Sequence, residues 1–482
     1  MKICCSFLLC ILVYVGQAQS VNRYFDQIRN NDAALTAFFS RMPKGGDLHH
    51  HYGGSVYAEP LLAYAIQEDF FVDATTMTIA KEQPVSGKWE RFSSIRSRGA
   101  LESYKDQLIQ KWSVKDYHEA HYPSDKQFFE SFDKFGAGIG GTFETGLSEL
   151  KQRAIRENLS YIETQLTTIP SSVSVDQFLQ LNERLRNYQA TRNETAVFKT
   201  LDTLYAYLLQ KNVAADARSY NVELIEKLHR KLQLDDSLFT MRFQNFVLRF
   251  REPVTLFRDL VTAFISADLS PIIDGVNIVS PEHGETSMKD YWLHMIMYKY
   301  CNARYPKVRS SLHAGELVLG LVLPEELTWH IGAAVHTAKA TRIGHGVDIA
   351  HEANNYELLE YMAKNKVAVE INLVSNEFIL KVKEGRHPIL LYKKFGVPMV
   401  ISTDDAGVLR TNMTEQYVLL AKRYKEFSYD DIKRLVYNSI EYSFIEDPLL
   451  KRKLIKDLDA RFRVFENWFP DIHPSITNSP VF

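Results

Sequence analysis

The sequence has few cysteines. Four occur in 482 residues, and three of them, Cys4, Cys5 and Cys10, lie within the first ten residues. Only Cys301 lies beyond them. If the N-terminal residues are removed during export, a single thiol remains, and one thiol cannot form a disulfide within the chain. The sequence therefore excludes a disulfide-rich scaffold and indicates a fold that depends on the size of its core.

The sequence also lacks an excess of charge of either sign. It has 57 Lys and Arg residues and 59 Asp and Glu residues, which gives a net charge of −2. Without a basic surface field, a protein that binds nucleic acid is not expected. Hydrophobic residues make up 45% of the chain and charged residues 24%. These are ordinary globular values, and they exclude a disordered protein.

Long apolar runs are absent beyond the N-terminus. The apolar run from Ile3 to Val15 is shorter than the about 20 residues that a membrane-spanning helix needs. Lys2 precedes this run, and small residues at Gly16 and Ala18 match the pattern before a signal-peptide cleavage site. We therefore predict a signal peptide over residues 1–18, with an uncleaved membrane anchor as the alternative. The mature protein is then exported to the periplasm or the extracellular space, with no stable membrane association.

Short apolar runs alternate with longer amphipathic segments, and no internal repeat divides the chain. Eight of the runs have the length and residue types of strands. Strands separated by helical crossovers are typical of a (β/α)8 barrel or a doubly wound sheet. No G-x-G-x-x-G motif follows a predicted strand, which favours the barrel. The predicted strands are Leu48–His51, Ser160–Leu166, Arg242–Phe250, Ile272–Val279, Val308–His313, Thr341–His345, Val367–Asn372 and Val397–Thr403.

The predicted fold class is thus α/β, a (β/α)8 TIM-type barrel that forms a single domain over residues 19–482. Two spacings between predicted strands are longer than a plain barrel connection, near residues 57–125 and 175–238. We predict helical insertions at both places, one of them a lid over the mouth of the barrel.

Histidines end the first predicted strand. His49, His50 and His51 follow Leu48 directly, and alternate residues of a strand point to the same face. His49 and His51 can therefore reach one metal ion, whereas His50 points to the opposite face. A His-x-His pair alone is weak evidence, because a surface cluster of histidines gives the same pattern.

Other chemically active side chains lie at the ends of later predicted strands. His313 ends the fifth predicted strand and Glu316 follows it, His345 ends the sixth, and Asp404 and Asp405 follow the eighth. In a parallel barrel the carboxyl ends of all strands open on one face, where barrel enzymes have their active sites. We therefore expect these residues to converge although they are far apart in the sequence.

The convergent set has the composition of a metal site. Histidines and a carboxylate form a nitrogen–oxygen ligand set that suits Zn²⁺ and leaves a position open for water. A protonatable Glu and a further His beside such an ion would complete a site that activates water. Each residue also has an ordinary structural explanation, such as a capping Asp or a core His. Their joint placement at four strand ends favours the metal site.

Four motifs in this order and spacing resemble the adenosine deaminase family. The similarity extends from about Arg41 to Tyr417, and the first motif is similar to the secreted adenosine deaminase growth factor branch and its bacterial relatives. The motifs are Met-Pro-Lys-Gly-x-x-Leu-His-x-His at 42–51, Leu-His-Ala-Gly-Glu at 312–316, Arg-Ile-Gly-His-Gly at 342–346 and Ser-Thr-Asp-Asp at 402–405.

The resemblance implies a role for each matching residue. It implies one Zn²⁺ per chain, bound by His49, His51, His313 and Asp404. His345 would orient the attacking water and take its proton, and Glu316 would protonate purine N1. The resemblance further implies a hydrogen bond from Asp405 to N7 and a contact of the Gly275 backbone with N3.

The reaction implied by the resemblance is the hydrolytic deamination of adenosine, and of 2′-deoxyadenosine, to inosine and ammonia. The partner is then a small purine nucleoside and not a polynucleotide, and no oligomeric state follows from the sequence. Gly53 stands where the family usually has an Asp that holds the ribose 5′-hydroxyl. This departure leaves two alternatives open, which are the same chemistry on adenine or a modified purine nucleoside, and a non-catalytic purine-binding protein.

Overall fold

Eight parallel strands dominate the computed structural model, which describes residues 21–468. The predicted signal peptide over residues 1–18 lies outside the described residues. The eight barrel strands are β1 (Gly45–His51), β5 (Leu159–Gln165), β6 (Thr240–Leu248), β7 (Ile273–Val279), β8 (Arg309–Ala314), β9 (Arg342–His345), β10 (Ala368–Ile371) and β11 (Met399–Ile401). Three further strands, β2 (Phe71–Asp73), β3 (Ile79–Ala80) and β4 (Trp89–Arg91), form a separate antiparallel sheet.

The barrel strands pair in chain order, so that each strand after β1 lies beside its predecessor. The sheet closes between its first and last strands through a parallel bridge from His50 to Asp404. Ser311, Arg342 and Glu370 point into the barrel and bond one another there. Because strand side chains alternate between faces, the buried apolar neighbours Leu312, Ile343 and Val369 pack between the strands and the helices. The predicted α/β fold class, a (β/α)8 barrel, is confirmed.

Helices cover the outside of the barrel and connect its strands. Several begin at an ordinary capping residue, and the helix Tyr429–Glu441 begins with a capping box in which Ser428 and Asp431 bond reciprocally. The helices that precede β6 are α1 (21–28), α2 (Asp32–Arg41), α3 (Tyr52–Ser55), α4 (Ala58–Gln67), α5 (Phe92–Ser97), α6 (Leu101–Lys111), α7 (Ser124–Ile139), α8 (Phe143–Arg156), α9 (Leu181–Ala190), α10 (Glu194–Gln210), α11 (Val213–Ser219) and α12 (Lys227–Lys231).

The remaining helices complete the crossovers, and the helix Tyr429–Glu441 packs against the first residues of β1 and β11. These remaining helices are α13 (Pro253–Leu269), α14 (Glu285–Lys289), α15 (Tyr291–Arg304), α16 (His330–His336), α17 (Asn355–Asn365), α18 (Leu373–Leu380), α19 (Ile389–Phe395), α20 (Met413–Arg423), α21 (Tyr429–Glu441) and α22 (Pro448–Trp468). Short 3-10 turns lie at Gly140–Thr142, Asp176–Phe178, Pro324–Thr328, Ile349–His351 and Glu384–Arg386, and a π-helical turn at Tyr220–Glu226 joins α11 to α12.

The first long connection between barrel strands contains more than helices. Residues 57–125 include the sheet of β2, β3 and β4 between α4 and α5. This segment shares a second buried core with residues outside it: Leu61 and Trp112 of the segment belong to the same cluster as Phe128, Ile379 and Val408. The sequence does not predict this sheet, because strands of only two or three residues show no hydrophobic alternation. Among residues 21–468, none of the helices combines the length and the apolarity that crossing a membrane requires.

A network of buried charges lies inside the barrel. Arg342 on β9 donates to Glu163 on β5 and to Glu370 on β10, both at 2.6 Å. Gln244 and the main-chain N–H of Phe444 also donate to Glu163, at 2.9 and 2.6 Å. Because buried charges cost solvation free energy unless they are paired, this network is stable only while all partners are present.

Replacement of Arg342 tests this dependence. We expect Arg342→Met to lower the free energy of unfolding of the metal-free protein by about 3–5 kcal/mol, because two buried carboxylates lose their cation. The measurement is urea unfolding followed by fluorescence. The control Arg98→Met removes an exposed ion pair with Glu90 and should leave the midpoint almost unchanged. Equal effects of both substitutions would contradict the prediction.

Candidate active site

Four predicted ligands converge at the carboxyl end of the barrel. The Nε2 atom of His51 lies 3.3 Å from Nε2 of His49 and 3.2 Å from Nε2 of His313. The nearer Asp404 oxygen, Oδ1, is 3.4 Å from Nε2 of His51 and 3.6 Å from Nε2 of His49. Ligands about 2.0–2.1 Å from a tetrahedral zinc ion lie about 3.3 Å from one another. The donor set therefore fits Zn²⁺ both in chemistry and in spacing.

The main chain fixes Asp404 between the two histidines of β1. Its N–H donates to the carbonyl of His49 at 2.9 Å, and its carbonyl accepts from the N–H of His51 at 3.3 Å. Asp404 has a φ of 63°, and His345 has a φ of 69°. Non-glycine residues rarely adopt this left-handed conformation, which is enriched at functional sites. The backbone is thus shaped to direct these side chains towards the site.

The outer nitrogen of each buried ligand histidine is bonded to a neighbouring strand. Nδ1 of His49 lies 2.7 Å from Oε2 of Glu370, and Nδ1 of His313 lies 3.0 Å from Oδ1 of Asn277. Because both partners accept at these atoms, the rings carry their protons on Nδ1 and direct the Nε2 lone pairs inward. Although burial opposes it, Arg342 together with His49 holds the pKa of Glu370 at about 2. The carboxylate form that orients His49 is therefore favoured.

His50 lies on the other side of β1, as predicted. It is buried, and its Nδ1 lies 2.9 Å from the hydroxyl oxygen of Thr164. Burial and the nearby Arg153 lower the pKa of His50 to about 3. His50 thus packs as a neutral core residue, away from the predicted metal ligands.

A cavity of about 560 Å³ opens above the ligands. Its floor is formed by the predicted site residues His51, His313, Glu316, His345, Asp404 and Asp405. Its walls are mostly apolar. The apolar wall residues are Phe128, Phe129, Phe132, Ile139, Leu166, Phe246, Leu248, Phe250, Val279 and Pro281. The polar wall residues are Gln165, Thr167, Thr168, Ser280, Glu130 and Asp133.

Two carboxyl groups in this cavity favour their protonated forms. Burial, followed by the charges of Asp404 and Glu282, raises the pKa of Glu316 well above its usual range. Burial and the adjacent Asp404 do the same for Asp405. Asp404 itself remains ionised, because the surrounding histidines outweigh its burial and lower its pKa. The floor thus offers proton-bearing carboxyl groups beside a carboxylate ligand.

A chain of hydrogen bonds fixes the proton on His345. The main-chain N–H of Ile389 can only donate, and it bonds Nδ1 of His387 at 3.2 Å. His387 then donates from Nε2 to Oδ1 of Asn376, at 3.1 Å, and Asn376 donates from Nδ2 to Nδ1 of His345, at 2.9 Å. Burial lowers the pKa of His345 to about 3. The neutral ring therefore carries its proton on Nε2, which lies 3.8 Å from Oδ2 of Asp404.

The structure does not bring Gly275 to the cavity, so its predicted contact with purine N3 is corrected. Gly275 lies near the amino-terminal end of β7, where a Cβ atom would collide with the ring of Phe444. Val279 ends the strand four residues later, and a strand advances about 3.3 Å per residue. Ser280, which has a φ of 90°, lines the cavity directly after this end.

Several residues that support the site were not predicted as site residues. Glu370 is a charged residue inside a predicted apolar strand, and a buried charge in a central strand signals a specific partner. Glu282 and His330 are both buried and in contact, with Nδ1 of His330 2.7 Å from Oε1 of Glu282. His387 gave no signal, because the loop that places it beside Asn376 is not predictable from residue types.

Comparison with known proteins agrees with the geometry. Residues 239–461 match the model of the adenosine deaminase family. An adenosine deaminase of Shewanella loihica is 32% identical over 152 residues, which are 30% of this chain and 42% of that protein. The predicted resemblance to the adenosine deaminase family is confirmed. An adenosine deaminase of Clostridium kluyveri is 31% identical over 143 residues, 30% of this chain and 38% of that protein. The chain thus spans about two fifths of the length of these curated relatives.

Solved structures share the fold over a greater length. The N6-mAMP deaminase of Arabidopsis has a TM-score of 0.55 and 18% identity, and the alignment covers 88% of this chain and 99% of that one. A zinc-bound amidohydrolase of Burkholderia ambifaria has a TM-score of 0.52 and 16% identity, with 90% and 94% covered. At this identity the likeness shows the fold alone and says nothing about substrates.

Removal of the Glu370 carboxylate tests the metal centre. We expect Glu370→Gln to weaken zinc binding about 10- to 100-fold, because partners of ligating histidines have effects of this size. The measurement is competition for zinc with a fluorescent chelator. Glu352→Gln is the matched control, because Glu352 is also buried but accepts from the main chain of Gly332. Unchanged zinc affinity in Glu370→Gln would show that Glu370 does not orient His49.

Proposed function

We propose that the chain is a zinc-dependent aminohydrolase that converts adenosine and 2′-deoxyadenosine to inosine and 2′-deoxyinosine, with release of ammonia. The observation that carries this proposal is the position of Glu316. It is a buried carboxyl group in the floor of the cavity, beside the predicted metal ligands. Its Oε1 atom lies 3.6 Å from Nδ1 of His345. An acid in this environment can donate a proton to a ring nitrogen of a bound purine.

The ligand set implies the source of the attacking group. When bound by His49, His51, His313 and Asp404, Zn²⁺ supplies Lewis-acid activation of water, whose pKa it lowers to about 7. The described donor atoms fit one ion per chain, and their buried positions keep its surroundings of low polarity.

Three residues would act on the substrate itself. Glu316 holds a proton and delivers it to purine N1, which makes C6 more electrophilic. Asp405, protonated because of its burial, donates a hydrogen bond to N7. His345 directs its Nε2–H towards the attacking oxygen and orients it by donation. In this tautomer Nε2 has no free lone pair and cannot take up a proton. His345 would therefore orient the water, but would not take its proton as the resemblance implies.

The cavity walls support a nucleoside as the substrate rather than a nucleotide. No Lys or Arg is among the described residues that line the cavity, whereas Glu130 and Asp133 are. Phosphate groups are normally bound by cationic side chains, and carboxylates repel them. A nucleoside without phosphate therefore fits the charge of the site.

Gly53 supports a second candidate, a purine nucleoside modified at its sugar. A Cβ atom at this position would lie 3.1 Å from Cδ1 of Ile139. The place of the usual Asp is thus closed by a methyl group, and the cavity is apolar there. Such a wall accepts an apolar substituent more readily than it binds a hydroxyl group.

Replacement of Glu316 tests the proposed reaction. We expect the unmodified protein to release ammonia from adenosine, and Glu316→Gln to lower kcat by about 10²–10⁴-fold, because general acid catalysis contributes this much. The measurement is ammonia release together with purine absorbance. The exposed Glu325→Gln should retain full activity. If the zinc-loaded protein turned over none of adenosine, 2′-deoxyadenosine, adenine and AMP, the proposed function would be wrong.

We also propose that the protein is exported, on the basis of its N-terminal sequence. Signal-peptidase cleavage after Ala18 would leave a mature chain that begins at Gln19. Expression of the full gene in a Gram-negative host, followed by fractionation and N-terminal sequencing, measures this directly. Full-length protein retained in the cytoplasm would contradict export.

A further inference from the structure

The main chain of the predicted proton donor is held by a second buried carboxylate. Glu282 lies in the loop after β7 and accepts the N–H of Glu316 at its Oε2 atom, at 2.9 Å. Its Oε1 atom accepts the N–H of Gly315 at 3.2 Å. One side chain thus fixes two consecutive peptide groups, including that of Glu316. Gly315 has a φ of 74°. Because glycine adopts many other φ values as readily, contacts with Glu282 are needed to hold this segment in one conformation.

Glu282 is in turn fixed by His330 at the start of α16. Nδ1 of His330 lies 2.7 Å from Oε1 of Glu282, and both side chains are almost fully buried. The His330 ring stacks on Tyr291, with centroids 3.7 Å apart and planes 12° apart. The Tyr291 hydroxyl donates to the carbonyl of His330 at 2.9 Å. These contacts hold the His330 ring in one orientation, in which Nδ1 donates to Glu282.

The charge of this assembly is consistent with that arrangement. Burial opposes ionisation of Glu282, but His330 and Arg249 outweigh it and lower the pKa of Glu282. Arg249 also donates from Nη2 to the carbonyl of His313, at 2.7 Å. Glu282 thus remains a carboxylate that can accept from both N–H groups. Adjacent buried charges therefore hold both His313, through Arg249, and Glu316, through Glu282.

We propose that Glu282 and His330 are positioning residues for the proton donor. They hold the peptide of Glu316 so that its carboxyl group stays in the cavity floor at the distance that proton transfer requires. This inference rests on the proposed function, because it assigns Glu316 the delivery of the proton. A displacement of about 1 Å in a reacting group can cost about 100-fold in rate, so the accuracy of this support matters more than its contribution to stability.

A purely structural role makes a different prediction, and two substitutions of His330 separate the roles. His330→Phe retains the ring that stacks on Tyr291 but removes the donor to Glu282. His330→Asn retains a donor near the place of Nδ1 but removes the stacking. If His330 positions Glu316, the donor matters for activity. If His330 only fills space, the ring matters.

We expect His330→Phe to lower kcat for adenosine roughly 10- to 100-fold, with KM changed by less than about threefold. His330→Asn should keep kcat within about threefold of the unmodified protein, although it melts at a lower temperature. Zinc content should be unchanged in both. His336 is the matched control on the same helix, because it is exposed, its ring packs on Tyr361, and no carboxylate among residues 21–468 bonds to it. His336→Phe and His336→Asn should both retain full activity.

Hydrogen–deuterium exchange gives a readout that does not depend on turnover. The N–H groups of Gly315 and Glu316 should exchange faster in His330→Phe than in His330→Asn. Glu282→Gln, which keeps the size of the side chain but loses one acceptor, should show the same faster exchange and the same loss of kcat. This variant also tests the inference if His330→Phe does not fold.

The outcomes distinguish the two proposals. If the unmodified protein does not deaminate adenosine, the proposed function fails, and the exchange rates still decide whether Glu282 and His330 hold the segment. If adenosine is deaminated but His330→Asn loses more kcat than His330→Phe, or exchange at Glu316 is the same in all variants, the positioning role is overturned and the proposed function stands.

Discussion

The structure depends on the seam that closes the barrel. The first and last strands meet through main-chain hydrogen bonds between β1 and Asp404, so that Asp404 lies between His49 and His51. The same hydrogen bonds that complete the cylinder therefore bring together three of the four predicted metal ligands. Because these predicted ligands come together only when the barrel closes, the binding of a metal ion by them would be coupled to folding. His313, on the opposite wall, then completes the set.

Buried charge continues from this seam through the interior. Glu370 orients His49, Arg342 neutralises Glu370, and Glu163 pairs with the far side of Arg342. Each group is a strand residue that points inward, so this series of ion pairs crosses the interior of the barrel and does not run over its surface. Charges in such surroundings contribute little net stability when paired, but they permit few other arrangements of the side chains. The network therefore serves to fix the ligand geometry, and the cost of its desolvation is offset by complete pairing.

The strands and the convergence of the ligands could be predicted from the sequence, because both follow from local rules. A period of two puts His49 and His51 on one face, and parallel strands present their carboxyl ends together. Gly275 was placed wrongly because the motif match was carried over without regard to the predicted end of its strand at Val279, four residues later. The relay through Asn376 and His387 depends on loop conformation, which residue types do not determine. The sheet of β2, β3 and β4 was missed because such short strands carry no periodicity.

We infer that three imidazoles and one carboxylate hold a catalytic zinc ion at the barrel seam. X-ray absorption at the zinc edge of the loaded protein measures this ligand set. We expect nitrogen and oxygen ligands at about 2.0–2.1 Å, with the multiple-scattering features of three imidazoles, and two imidazoles in His313→Ala. A spectrum without imidazole features, or one unchanged in His313→Ala, would show that this ligand set is wrong.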